Sequence, residues 1–170
     1  DSNCLQAAMA AGERVVLSNI NAPDRFVLAG EKEAVQVTME LAQSFGAEVR
    51  LLPIAAAFHS PFMEEAREPF RQALARIPCS PPTIPILSTI TGAYIDPATV
   101  TTESLAEHLA SQLVTPLNIP REVTRLYEDG VRHFLEVGPG WSMTKMIGAI
   151  LSGKPHRAAP CLHPKVGDQE

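Results

Sequence analysis

The 170-residue sequence is short of cysteine, of basic charge and of long apolar runs, and each shortage removes a class of function. Cys4, Cys79 and Cys161 are odd in number and far apart. That spacing suits reduced thiols rather than a disulfide framework or a zinc site, and none stands in the pattern of a nucleophilic cysteine. Lys and Arg number 14 against 19 Asp and Glu, a formal net charge of −5. Without a basic stripe to follow phosphates, nucleic acid is not an expected partner. No apolar run approaches the roughly 20 residues a membrane-spanning helix needs, so no membrane partner is expected. Asp1-Ser2-Asn3 is acidic and polar where a secretory leader would be basic and then apolar. These features together predict a cytoplasmic protein. There is no internal repeat, no low-complexity tract and no Gly-x-Ser-x-Gly turn of the kind that carries a nucleophilic serine.

What is present is an ordinary apolar fraction of 45%, enough for a core, in a pattern that predicts an α/β protein. Asp1 or Ser2 is a candidate cap for a short helix through Ala8 to Ala11, ended by Gly12. Arg14 to Ile20 and Arg25 to Ala29 read as strands joined by the turn Asn21-Ala22-Pro23-Asp24. Glu31 to Phe45 is helix-spaced and stops at Gly46, and Val49 to Ala57 reads as the next strand. Helix, strand, strand, helix, strand is a ferredoxin-like lobe with its first strand missing. The sequence thus reads as beginning inside a folding unit, with a separate element supplying the strand or the sheet keeping an open edge.

Beyond that point Pro61 to Arg76 reads as a helix with a kink or late start at Pro69. A proline-rich connection leads to a buried strand over Ile84 to Ser88. A helix runs from Thr102 through Leu113 with Thr101 or Thr102 as cap, and Thr115-Pro116 breaks it. Pro120 to Glu128 is a second helix, His133 to Val137 a strand, and Ser142 to Leu151 a helix after the turn Gly138-Pro139-Gly140. Ala159 to Leu162 is a candidate final strand. Strands alternating with helices after residue 84 predict a parallel α/β sheet. The expected organisation is a small lobe over 1–58, part of a larger lobe over 59–153 and a tail over 154–170.

The chain is arranged around Leu51 to Met63, an apolar run that ends in His59 before Ser60-Pro61 turns it into a charged helix. A histidine at a locked strand end suits a general base, although a structural histidine is the commoner outcome of that pattern. Ala57-Phe58-His59-Ser60-Pro61-Phe62-Met63 resembles the Ala-Phe-His-Ser-Pro-Leu-Met segment of malonyl-CoA:acyl-carrier-protein acyltransferases, including those of polyketide and polyunsaturated fatty acid synthases. Three more segments match in order: Ser18 to Gly30, Ile86 to Gly92 and Phe134 to Gly140.

The resemblance covers roughly the last half of such a domain. It implies an α/β fold with most of a ferredoxin-like small lobe and the returning part of an α/β-hydrolase-like lobe. It also implies ping-pong transfer of a malonyl-type group from coenzyme A, through a serine ester, to the phosphopantetheine thiol of an acyl carrier protein, with no bound cofactor. His59 then matches the base, and the backbone carbonyl of Gln112 its orienting partner. Asn21 matches an asparagine near the substrate. Phe58 matches the residue that goes with malonyl selection, while Ala56 departs from the common histidine there and reopens volume. Ser88 either lines the acyl pocket or satisfies the turn before Gly92.

The serine and the carboxylate-binding arginine of the family are not identifiable in this chain, and they would come from an upstream half. Gly138-Pro139-Gly140 suits packing better than phosphate binding, since Pro139 removes a donor. Arg67, Arg71 and Arg76 could meet an acidic carrier protein or coenzyme A phosphates, but Glu64, Glu65 and Glu68 dilute that patch. Expected partners are the carrier protein, neighbouring synthase domains and the missing N-terminal half. The alternative reading is a non-catalytic carrier-protein or domain-docking module.

Overall fold

The computed structural model describes residues 12–162; the expected helix ending at Gly12 lies outside them. β1 (Val15–Ala22) and β2 (Arg25–Gly30) form an antiparallel hairpin closed by Pro23-Asp24, with Ala22 opposite Arg25. α1 (Lys32–Ser44) follows and buries the small stripe Ala34, Thr38 and Ala42, spaced four apart on one face. The Thr38 hydroxyl meets its own hydrogen-bonding need by donating to the Ala34 carbonyl at 2.8 Å. A short 3-10 turn over Pro61–Met63 leads into α2 (Glu64–Leu74), then α3 (Thr102–Ser111). Thr101 and Ser104 close a capping box at the start of α3, each side chain accepting from the other's backbone N–H.

Two strands expected from the sequence do not form. Val49 to Ala57 has no strand hydrogen bonds and runs as extended and bent chain, with Leu51 66% and Ile54 56% exposed. Apolar alternation gives a segment the tendency to extend, but a strand exists only where a neighbour completes the ladder. Among the described residues none does. Ile84 to Ser88 is likewise not a buried strand. Only an isolated bridge joins Leu87 to Tyr94, and Ile84 is 74% exposed.

After α3 the chain adds β3 (Leu117–Asn118), a strand the sequence did not announce because it is only two residues long. It pairs parallel with β1, Asn19 opposite Leu117 and Ile20 opposite Asn118, so the sheet order is β2-β1-β3. α4 (Ile119–Glu128) starts at once, the Asn118 side chain accepting from the Arg121 N–H. β4 (His133–Pro139), α5 (Ser142–Ile150) and β5 (Arg157–Leu162) follow in sequence order as a strand-helix-strand unit, with β4 and β5 paired parallel in a separate two-stranded sheet.

The main apolar cluster joins Ile119 and Val123 of α4 to Ile147 and Leu151 at the end of α5, with Tyr127, Phe134 and Ala158 packed around it. Outside it the buried apolar residues are mostly alanine, while Leu51, Ile84, Leu135 and Val137 lie more than half exposed. Among the described residues no helix is long and apolar enough to cross a membrane.

Leu151 is fully buried at the centre of the cluster. Leu151→Ala is expected to lower unfolding free energy by about 2–5 kcal/mol, measured by urea denaturation. A loss below about 1 kcal/mol would mean the cluster is not the stabilising core.

Candidate functional site

The site is built where α3 stops. Two N–H groups, of Val114 and Thr115, both turn back to the Ser111 carbonyl, at 3.2 and 3.0 Å, the first a three-residue bond that tightens the last turn. In a continuing helix the Gln112 carbonyl would accept from the N–H of residue 116. That residue is Pro116, which has none. The Leu113 carbonyl would accept from Leu117, which has left for β3. Two adjacent carbonyls are therefore free to accept from elsewhere.

His59 and Ser60 use them. His59 Nδ1 lies 2.7 Å from the Gln112 oxygen, and the Ser60 N–H donates to the Leu113 oxygen at 3.2 Å. A carbonyl can only accept, so Nδ1 carries the hydrogen, and in the neutral ring Nε2 keeps its lone pair. The ring is half-buried. His59 is also the one non-glycine among the described residues with a left-handed backbone, φ 61°. Such a conformation costs roughly 1–3 kcal/mol and persists only where its surroundings fix it. Here they do: Ser60 is fully buried, its hydroxyl donates to the Ala57 carbonyl at 2.5 Å, and its own carbonyl accepts from the Met63 N–H at 3.1 Å.

The other expected residues fall around this latch in different ways. Phe58 is 44% exposed rather than packed in a core, and Ala56 is exposed. Asn21, half-buried, follows the β1 residue that pairs with Asn118, so the β1–β3 ladder ties it to the strand that follows the end of α3. Ser88 is buried, and its hydroxyl is fully engaged. Its oxygen accepts from the N–H groups of Ile90 at 3.1 Å and Thr91 at 3.2 Å. With both lone pairs used, its hydrogen points to His108 Nε2 at 3.0 Å. Ser88 thus holds the turn through its own hydrogen bonds.

No motif in the sequence marks Arg121. Its guanidinium donates to the Thr89 and Ile90 carbonyls, both at 3.2 Å, and to the Glu122 carboxylate. Gly92, at φ 68°, makes room for it: a Cβ there would stand 2.6 Å from Arg121 Nε.

The Gly138-Pro139-Gly140 turn is not a vacant anion site. The Glu136 carboxylate, reaching from β4, accepts from the Thr144 hydroxyl at 2.7 Å and from the N–H groups of Thr144 at 2.8 Å and Met143 at 3.2 Å. A side chain of the protein already fills the place a phosphate would take at the start of α5. The Thr144 hydroxyl, joined by those N–H groups, holds Glu136 below the usual carboxylate pKa. Among the described residues no group of His, Cys, Asp and Glu could hold a metal ion.

Comparisons with known proteins agree on one family. Residues 2–170 match the family described as "Acyl transferase domain". The Bacillus subtilis (strain 168) polyketide biosynthesis malonyl CoA-acyl carrier protein transacylase PksC is 32% identical over 80% of this chain and 46% of its own length. The Escherichia coli (strain K12) malonyl CoA-acyl carrier protein transacylase is 30% identical over 89% of this chain and 48% of its own. The chain therefore spans about half the length of these curated relatives. Among solved structures, an acyl-carrier-protein S-malonyltransferase from Burkholderia pseudomallei 1710b superposes with a TM-score of 0.82 at 28% identity, covering 96% of this chain and 52% of that one. A malonyl-transacylase solved in complex with a type II polyketide synthase acyl-carrier protein gives 0.83 at 26% identity, with the same coverage.

Two outcomes follow from this geometry. Pro116→Ala restores an N–H that competes for the Gln112 carbonyl, so ¹⁵N NMR of the His59 ring should show a smaller Nδ1–H fraction. Gln112→Ala, which keeps the carbonyl, should leave that fraction unchanged; a change there would move the acceptor role to the side chain. Glu136, with its pKa lowered, stabilises the fold above its unfolded pKa near 4.5 and loses that contribution as pH falls through the lower folded value. The Tm gap between the protein and Glu136→Gln should be widest near neutral pH and close below pH 4.5, and a gap that does not depend on pH would rule out the charge as its cause.

Proposed function

This chain belongs to the acyl transferase domain family, and on that footing we propose that it supplies the general base for malonyl transfer from coenzyme A to an acyl carrier protein. The observation that carries this reading is the His59 Nδ1 to Gln112 carbonyl bond, which leaves Nε2 as the basic nitrogen. Serine is a weak nucleophile until its proton is taken. Nε2 of His59 takes the proton of a serine hydroxyl as its oxygen attacks the malonyl thioester carbonyl. The tetrahedral intermediate collapses, the C–S bond breaks, and the protonated ring returns that proton to the departing coenzyme A thiolate. In the second half the ring deprotonates the phosphopantetheine thiol, whose sulfur attacks the serine ester. The serine alkoxide leaves and recovers its proton from His59.

The serine, and the arginine that pairs with malonate, belong to a segment outside these 170 residues, so this chain alone is inactive. That segment completes an α/β-hydrolase-like lobe over 59–153 and supplies the strand missing from a ferredoxin-like lobe over 1–58, with 154–170 as a tail. The support for this is the extended, ladder-less chain at 49–57 with Leu51 and Ile54 exposed, and the exposed outer face of β4 at Leu135 and Val137. Phe58, beside the base, fills the room a methyl branch would need and so favours malonyl, while Ala56 and Asn21 line the same space. Ser88 acts on the pocket through the turn it holds. The carrier protein and neighbouring synthase domains are the partners, and the cytoplasm the compartment.

The test is acyl-enzyme formation from radiolabelled malonyl-CoA. This chain alone should take up no stable label. Joined to a segment bearing the family's serine, it should label, and His59→Ala should slow labelling by roughly 10²–10⁴-fold. Label that survives washing on this chain alone, or an undiminished rate in His59→Ala, would overturn the assignment.

A further inference from the structure

We propose that the ion-pair ladder between α2 and α3 is a positioning device for His59, with Arg67, Arg71, Glu103 and Glu107 as its members. The inference rests on the reading of His59 as the base. α2 begins five residues after His59, and α3 ends one residue before Gln112. The two halves of the latch thus adjoin two different helices, His59 shortly before one and Gln112 directly after the other. Whatever fixes the relative rotation and slide of those helices fixes the distance from Nδ1 to its carbonyl.

The two helices run antiparallel, as their pairings show: Arg67 bonds Glu107, and Arg71 bonds Glu103. Residues four apart lie one above the other on a helix face, about 6 Å along the axis. Positions 67 and 71 therefore meet 107 and 103 as two rungs, and the His59–Gln112 and Ser60–Leu113 bonds stand at the open end of the same seam. The rungs are cross-braced. Arg71 forks onto both oxygens of Glu68, at 2.8 Å each, and approaches Glu107 at 4.0 Å, while Arg67 also meets Glu64 at 3.3 Å. Hydrogen bonds from Arg71 and then Gln72 hold Glu68 down to about 2, so that brace stays charged across the working pH range.

Exposed ion pairs contribute little to stability as a class, so stabilisation is a poor account of this network. What a forked guanidinium does well is hold geometry. The apolar residues buried on α3 are Ala106 and Ala110, too small to interlock with a neighbouring helix and resist sliding, and no residue of α2 is buried. The ladder supplies the registration that side-chain packing leaves out. It also accounts for Arg67 and Arg71, whose charges are turned inward onto this chain's own carboxylates. They are thereby withdrawn from any acidic partner.

The test compares Glu103→Gln/Glu107→Gln, which neutralises the rungs, with Arg67→Lys/Arg71→Lys, which keeps their charge. Circular dichroism checks folding in each. ¹⁵N NMR of the His59 ring reads the Nδ1–H tautomer without requiring any acyl transfer. Transfer is assayed with the nucleophile-bearing segment present. The neutralised variant should lose much of the Nδ1–H population and about tenfold in kcat, with KM within twofold. The lysine variant, which keeps the charge but loses the fork, should fall between the parent and the neutralised variant in both readouts. A folded, neutralised variant whose tautomer matches the parent would overturn the ladder's role. Loss of the tautomer with unchanged kcat would uphold the ladder and count instead against His59 as the base.

Discussion

A hydrogen bond to a carbonyl that its own helix leaves without a donor governs this structure. Proline at 116 denies the Gln112 oxygen its helical partner, and the departure of Leu117 into β3 does the same for Leu113. Helix ends ordinarily meet this deficit with water or a cap. Here an imidazole and a backbone N–H from a distant part of the chain meet it, 2.7 and 3.2 Å away. One event therefore ends a helix, anchors a strained loop and selects a tautomer. A carboxylate partner would add a charge beside the ring; a carbonyl orients it with a dipole alone.

The rest of the fold can be viewed as scaffolding with a thin interior. Its apolar cluster lies at the α4–α5 contact, and the other helices bury mostly alanine. Polar devices take up the difference: a capping box on α3, the Glu136 carboxylate at the start of α5, and Arg121 spanning the 88–92 turn. Large apolar side chains turned outward at 51, 54, 135 and 137 are the complement of that thin interior. They accord with a chain about half as long as its relatives.

Local chemistry was legible from the sequence wherever it was decided locally. The hairpin around Pro23-Asp24, the helices, the Thr101 cap and the stop at Pro116 all follow from turn residues and periodicity. The four ordered motifs indicated the family. What could not be read was pairing. Val49 to Ala57 and Ile84 to Ser88 carry strand composition, yet a ladder needs two participants and composition describes one. β3 failed in the opposite sense, being too short to leave a pattern. At the site, His59 and the Gln112 carbonyl were legible through motif and proline, but the left-handed backbone of His59 was not. It is set by Ser60 and Leu113, a contact across more than fifty positions of sequence.

Ser88 beside His108 carries a lesson about reactivity. A serine 3.0 Å from an imidazole nitrogen is the arrangement that searches for hydrolytic pairs are built to find. This oxygen already receives two amide hydrogens, so the lone pairs an electrophile would need are occupied, and the residue is buried. Proximity marks a nucleophile only when the oxygen has electrons to spare. In this fold the serine that sits next to a histidine is a knot in the backbone, and a serine-directed covalent probe has no reason to recognise it.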